Sequence, residues 1–251
     1  MKKIIPISFT IVPSFILFFC TASVSEKKTS FTQSNNVTVL ELFTSQGCSS
    51  CPPADRLLGK YTNNDNIIPL SFHVDYWNRL GWTDPFSNAA FSQRQKNYAS
   101  IFKSGNIYTP QLVINGESEM VGSNENKISS TIESEGRKKS TALISINEVK
   151  IDNNKAIINC TVQSAENNSD LNIALVQAKA ITSIKAGENG GRELTNYNVV
   201  RNFKTLHSIA SGKNSMSIDL IPGGEKKDYS IVTFLQDPKT YRISAAAKSA
   251  L

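Results

Sequence analysis

Two cysteines three positions apart, Cys48 and Cys51, stand in the stretch Gln46-Gly47-Cys48-Ser49-Ser50-Cys51-Pro52-Pro53-Ala54-Asp55. At that spacing both sulfurs sit on one turn, and a Cys-x-x-Cys pair between a strand and a helix is a redox signature. If a helix begins near Cys48, its unpaired first-turn N–H groups and its dipole favour a thiolate there. Cys48 is then the candidate nucleophile and Cys51 the resolving partner. Pro52 and Pro53 fit a first helical turn, where a missing N–H costs least, and they argue for a helix start. Other chemistries compete for the pair. It could be a static disulfide, or half of a zinc site, although the chain has no second Cys-x-x-Cys and no close His pair. It could also be a soft copper(I) site that takes His73 as a third ligand.

Around the pair the sequence offers several proton-handling groups. Val37 to Phe43 is apolar except for Glu41, which suggests a buried strand carrying one acid towards the sulfurs, where a carboxylate can relay protons. The alternative for Glu41 is a solvated edge position. His73 and Asp75 alternate at the carboxyl end of a second strand, Ile67 to Val74, where ligands gather in parallel sheets. Asp75 joins Glu41 as a candidate proton carrier, and His73 and Asp55 are placed behind the sulfurs. A structural His73 is the plainer alternative.

These groups need elements to hold them. The expected order is a strand at Val37 to Phe43, a helix from Pro52 to about Tyr61, and the strand Ile67 to Val74. A helix then opens at Asp84-Pro85, with Asp84 as cap, and runs to about Phe102. Next come a proline-led strand, Tyr108 to Ile114, an Asn115-Gly116 turn, a return strand and a helix from Asn124 to about Glu135. From about Thr141 the pattern changes to short alternating strands at Ala142 to Ile151, Lys155 to Val162, Leu171 to Ile181, Ser215 to Ile221 and Tyr229 to Leu235. Between two of them, Gly187 to Arg201 reads either as a long hairpin with surface charges or as a hairpin reaching over the dithiol. Cys160 falls in an alternating run and reads as a buried strand cysteine.

Composition bounds the setting. The 251 residues are enough for one large or two ordinary domains, and the net charge of +6 is scattered rather than gathered into a stripe with interleaved aromatics. No nucleic-acid partner is expected from that distribution, and no cofactor motif stands out. Met1 to about Ala22 reads as an export signal, with Lys2 and Lys3 ahead of an apolar core. Cys20 leaves open a lipid anchor, although Phe19 sits where a lipoprotein signal wants a small residue. Residues 23–36 read as a polar tether. The expected location is the periplasm or cell envelope, where disulfides persist.

Strand, Cys-x-x-Cys helix, strand, helix, proline-led hairpin and helix is an order that resembles the thioredoxin fold over about residues 37–138. The resemblance implies an α/β fold, a mixed central sheet with flanking helices, followed by a mainly antiparallel β domain over 139–251. It implies a cis bond at Thr109-Pro110 opposite the dithiol, with Thr109 and Pro110 holding a substrate backbone; Trp77 and Tyr108 are placed on the same side. Ser49-Ser50 departs from the Gly-Pro of thioredoxin itself. More narrowly, Glu41 to Asp55, His73 to Asn78, Leu80-Gly81-Trp82, Gly187 to Arg192 and Asn198 to Arg201 resemble an exported bacterial family catalogued as a domain of unknown function, numbered 1223. The joint expectation is a thiol-disulfide oxidoreductase acting on an exported protein that carries a thiol or disulfide. Copper(I) handling and a non-catalytic binding module are the alternatives.

Overall fold

The fold is taken from a computed structural model, which describes residue 1 and residues 37–138, 140, 142–163 and 169–251. The expected leader, Cys20 and the tether fall outside the described residues, residue 1 apart. Among the described residues no helix is long and apolar enough to cross a membrane.

The chain builds a mixed α/β structure around one large sheet. In chain order the elements are β1 (Thr38–Thr44), α1 (Pro52–Gly59), β2 (Ile67–His73), α2 (Ala89–Phe102), β3 (Gln111–Ile114), β4 (Ser118–Val121) and α3 (Glu125–Gly136). There follow β5 (Leu143–Asp152), β6 (Lys155–Gln163), β7 (Ser169–Ser183), β8 (Glu193–Ile209), β9 (Gly212–Asp219), β10 (Tyr229–Gln236) and β11 (Ile243–Ala250). Eight strands form the main sheet in the order β11-β10-β7-β8-β2-β1-β3-β4, while β5, β6 and β9 form a second sheet of three.

The strand β1 shows why the sheet needs helices on both sides. Every one of its residues is buried, as expected of a strand covered on both faces. Leu40 and Leu42 pack with Ala54, Leu57 and Leu58 of α1 and Ile128 of α3. Val39 and Phe43 belong to another cluster, with Phe72, Phe91 and Tyr98 of the α2 side. The period-two alternation of a strand therefore sorts β1 between two cores. Burial of this kind stabilises by about 1.5–3 kcal/mol per large apolar side chain. A third core joins the two sheets: Ile144, Ile158, Cys160 and Val162 meet Leu171, Ile173 and Ile231.

Two departures from the expected layout bear on the site. The helix α2 starts at Ala89, capped by Asn88, whose side chain accepts from the Ala90 N–H. Asp84 does not cap it, because its carboxylate is engaged elsewhere, as shown below. Second, β8 was expected only as a connection. Asn and Arg interrupt its apolar positions, yet it runs 17 residues, pairs with β7 along its length and meets β2 in parallel at Ser71 and Val199. Strands from beyond residue 138 thus share one sheet with β1–β4. α1 rests on β8: a Cβ at Gly59 would come within 2.6 Å of the Tyr197 ring.

Candidate functional site

The site begins with the turn that carries the two cysteines. Cys48 N–H donates to Ser45 O at 3.2 Å and Cys51 N–H to Cys48 O at 3.3 Å, and α1 then starts with Cys51 as its cap residue. The helix therefore begins one turn later than a start at Cys48. Pro52 and Pro53 lack N–H groups, and the N–H groups of Ala54 and Asp55 are both bonded to Cys51 O. No donor of that first turn is left over for a Cys48 thiolate, so the dipole argument loses most of its force.

The sulfurs of Cys48 and Cys51 are joined in a disulfide with Cα atoms 5.5 Å apart. Both residues are fully buried, while Ser49 and Ser50 between them are exposed. Thr109 lies alongside. Its carbonyl oxygen is 3.9 Å from Cys48 Sγ and accepts from Ser50 Oγ at 3.4 Å, and the Thr109-Pro110 bond is cis. Trp77 Nε1 donates to Thr109 Oγ1 at 2.8 Å, fixing that residue from the side. Tyr108 is held by Glu119, to which its hydroxyl donates at 2.9 Å; burial and that carboxylate raise its pKa. Trp77 thus meets Thr109, with Tyr108 and Pro110 on either side of it in the chain.

Behind the sulfurs lies a buried polar group centred on Asp55. Asp55 is one helical turn from Cys51 and 3% exposed, and its Oδ1 has no hydrogen-bond partner among the described residues. Thr44 Oγ1, His73 Nε2 and Asn196 Nδ2 are also buried and unpartnered. Thr44 and Asn196 stand near enough to Asp55 to lower its pKa, yet neither makes a bond of hydrogen-bond geometry to Oδ1. Burial dominates and raises the carboxyl from 3.8 to about 6, with His73 opposing and Asp84 adding to the rise.

His73 is fully buried, and its Nδ1 bonds Asp84 Oδ2 at 2.7 Å. Burial lowers its pKa, but the charge and hydrogen bond of Asp84, with Asp55 behind, outweigh burial and the Arg201 cation and raise it overall. Asp84 is held below the usual carboxylate range despite burial by His73 and by the N–H groups of Gln46 and Phe86. Its two oxygens accept from Gln46 N at 2.8 Å and Phe86 N at 2.9 Å, so the carboxylate ties the cysteine loop to the segment after β2. The proline after it therefore follows a buried connector rather than a helix cap.

The two expected proton carriers lie elsewhere. Glu41 shares the parity of Val39 and Phe43 and faces α2, not α1. It accepts two bonds from Arg94, from Nε at 2.6 Å and Nη2 at 3.0 Å, and a third from the Tyr98 hydroxyl. A fully paired carboxylate on the opposite face of the sheet does not serve the dithiol. Asp75 lies past the end of β2, where the alternation stops. It accepts from Ser92 Oγ at 2.5 Å, at the start of α2, and so does not share the face of His73.

The hairpin between β7 and β8 does reach over the cysteines. Asn189, fully buried, donates from Nδ2 to Gln46 O and to Cys48 O, both at 2.9 Å. Glu188 accepts from the Ser49 N–H at 3.0 Å. Gln46 reaches back, with Nε2 donating to Thr182 Oγ1 and Asn196 Oδ1 at 3.0 Å. Gln46, Asp84, Glu188, Asn189 and Asn196 escape sequence reasoning as site residues. The nearest signal for Asn189 is its place in the block Gly187 to Arg192. Among the described residues no three His, Cys, Asp or Glu side chains gather to hold a metal ion.

With the geometry in place, comparison with known proteins adds a family. The model of a protein family described as a protein of unknown function, DUF1223, matches residues 39–236. The chain belongs to the DUF1223 family. That span includes the cysteine loop, the His73–Asp84 pair and the covering hairpin, so the family match takes in the whole constellation. The chain is similar to the crystal structure of a structural-genomics target from Agrobacterium tumefaciens, with 25% identity, TM-score 0.69, 86% of this chain covered and 95% of that one. A domain of the outer membrane lipoprotein Omp28 from Porphyromonas gingivalis aligns at 14% identity and TM-score 0.29 over 45% of this chain and 88% of that one. That score is too low to bear on the fold. No curated protein matches the chain.

Proposed function

We propose that this DUF1223 protein is an exported thiol-disulfide oxidoreductase on a thioredoxin-like scaffold, working in the periplasm or cell envelope on another exported protein. The observation that carries the reading is the Cys48–Cys51 disulfide set over a buried carboxyl with an unpartnered oxygen, Asp55, one turn from Cys51. A purely structural disulfide has no use for a desolvated acid at that place, whereas a resolving cysteine needs a base.

In the reducing direction, Cys48 thiolate attacks one sulfur of the partner's disulfide. A Cys48–partner bond forms, the partner's S–S bond breaks, and its second sulfur leaves as a thiolate that takes up a proton. Asp55 then accepts the Cys51 proton, and Cys51 attacks Cys48, closing the disulfide and releasing the partner's first sulfur as a second thiolate, protonated in turn. Two electrons pass from this protein to the partner; of the two protons the partner thiols take up, one balances the proton Cys48 gave to solvent on becoming a thiolate and the other the proton Cys51 gave to Asp55. His73, held by Asp84, opposes the rise that burial imposes on the Asp55 pKa. Thr109, fixed by Trp77, offers its backbone to the partner chain beside Cys48.

A second reading draws on one observation: both cysteines are fully buried, as in a static brace. Equilibration of the protein with a graded dithiothreitol or glutathione series separates the two. Reversible opening between the potentials of known exchange proteins supports the proposal, and a pair that stays closed below about −300 mV is a brace.

A further inference from the structure

We infer that the loop joining β7 and β8, residues 184–192, is a latch that shuts the Cys48–Cys51 pair and must open before any partner sulfur reaches Cys48. The inference rests on the oxidoreductase reading and adds the step that reading lacks.

Attack at a disulfide needs an incoming sulfur in line with the S–S bond, and Cys48 has no exposed surface. The cover is specific. One buried carboxamide, Asn189, spans the carbonyls on both sides of Gly47, donating to Gln46 O and Cys48 O at 2.9 Å. Arg192 Nη1 donates to Asn189 Oδ1 at 3.0 Å and orients it. On the outside, the exposed Glu188 carboxylate holds the Ser49 N–H at 3.0 Å.

The loop also has the build of a movable piece. Its base is closed by Gly191 N–H to Ile184 O and Ile184 N–H to Arg192 O, both at 2.8 Å. Between these, Gly187 and Gly191 take φ of 75° and 80°, a region other residues avoid. Among the described residues, only the Asn189 and Glu188 side chains tie it to the cysteine loop by hydrogen bonds. Its other neighbour is the segment of residues 80–82, against which Gly187 packs, so opening breaks those bonds and that contact while the β7–β8 ladder stays intact. Glu188 adds a second effect. While the latch is shut, a carboxylate occupies the Ser49 N–H, next to Cys48 in sequence, and its charge opposes a thiolate there. Opening removes the charge and frees the donor. Cover and reactivity change together.

The test follows single-turnover reduction of the disulfide by dithiothreitol, whose dithiol gives two electrons and two protons to the pair and closes to its own ring disulfide. Wild type, Asn189→Ala and Glu188→Gln are compared. Loss of the Asn189 bonds should raise the open fraction, and the rate, about tenfold, with a smaller gain for Glu188→Gln. Glu188 is exposed, so its variant keeps the fold should Asn189→Ala lose it, and a cooperative urea transition checks each protein. Wild-type rates in the folded variants would overturn the latch and leave the oxidoreductase reading standing. A disulfide that stays closed in all three proteins below about −300 mV would remove both.

Discussion

The two faces of the strands β1 and β2 hold buried charges under opposite conditions. On the α2 face, Glu41 is matched by two bonds from Arg94 and one from Tyr98, and Gln236 completes the set by accepting from Arg94 and donating to Tyr98. The guanidinium is ringed by Phe72, Tyr98, Phe203, Phe234 and Tyr241, all within 6.0 Å of their ring centres. On the α1 face, Asp55, Thr44, His73 and Asn196 each keep a buried polar atom without a hydrogen-bond partner among the described residues. Buried polar groups are normally satisfied. The difference teaches that Glu41, the acid most conspicuous in the sequence, is matched as a structural ion pair, whereas Asp55, a less conspicuous one, is left unmatched, which is why the proton transfer is proposed for Asp55.

Breaking each side should move stability in opposite directions. The largest effect is expected for Arg94→Met, which strands Glu41 in the core and should cost about 3–5 kcal/mol, read as a lower urea midpoint. A cost below about 1 kcal/mol would mean that the network does not support the fold.

Asp55→Asn should do the reverse. The folded Asp55 titrates at about 6 and the unfolded at 3.8, so between those values the native state binds more protons and stability falls as pH rises. Above pH 6 the whole penalty is present, about 3 kcal/mol from the shift. The variant should therefore gain up to that amount at pH 8, gain nothing below about pH 4, and resolve mixed disulfides more slowly. An equal gain at both pH values would show that packing, not the charge, is responsible.

A sharper contrast lies among the cysteines. Cys160 is buried at 1% exposure in the core between the sheets, and burial pushes its thiol up to about 11. Native protein at pH 8 should leave Cys160 unmodified by iodoacetamide, and Cys160→Ser should cost about 1–2 kcal/mol without moving the redox midpoint of the pair. Labelling of Cys160 without unfolding would contradict its burial. Smallest of all, Lys60→Ala removes an exposed ion pair with Glu125 and should stay within about 0.5 kcal/mol.

Much of this was legible in the chain. The order from β1 to α3, the Cys-x-x-Cys turn and the partners along Thr109 follow from local patterns and from the family resemblance. Glu41 was misplaced because alternation tells which residues share a face, not which helix covers it. Asp84 misled because Asp-Pro is a good helix start, and only the folded chain brings His73 and the Gln46 N–H to its carboxylate. β11 was missed because Ala245, Ala246 and Ala247 carry no strand preference. Asn189 could not be paired with Cys48 from sequence, since no periodicity links residues 141 apart.

That separation also has a meaning in time. Synthesis runs from the N-terminus at about 5–20 residues per second, so Cys48 is made roughly 7–28 s before the Asn189 that covers it, 141 residues later. Through that interval the pair exists without its cover, and Cys160 is added before the cover arrives. A chain that lacks the loop therefore leaves Cys48 and Cys51 reachable, and completion of the loop closes that period.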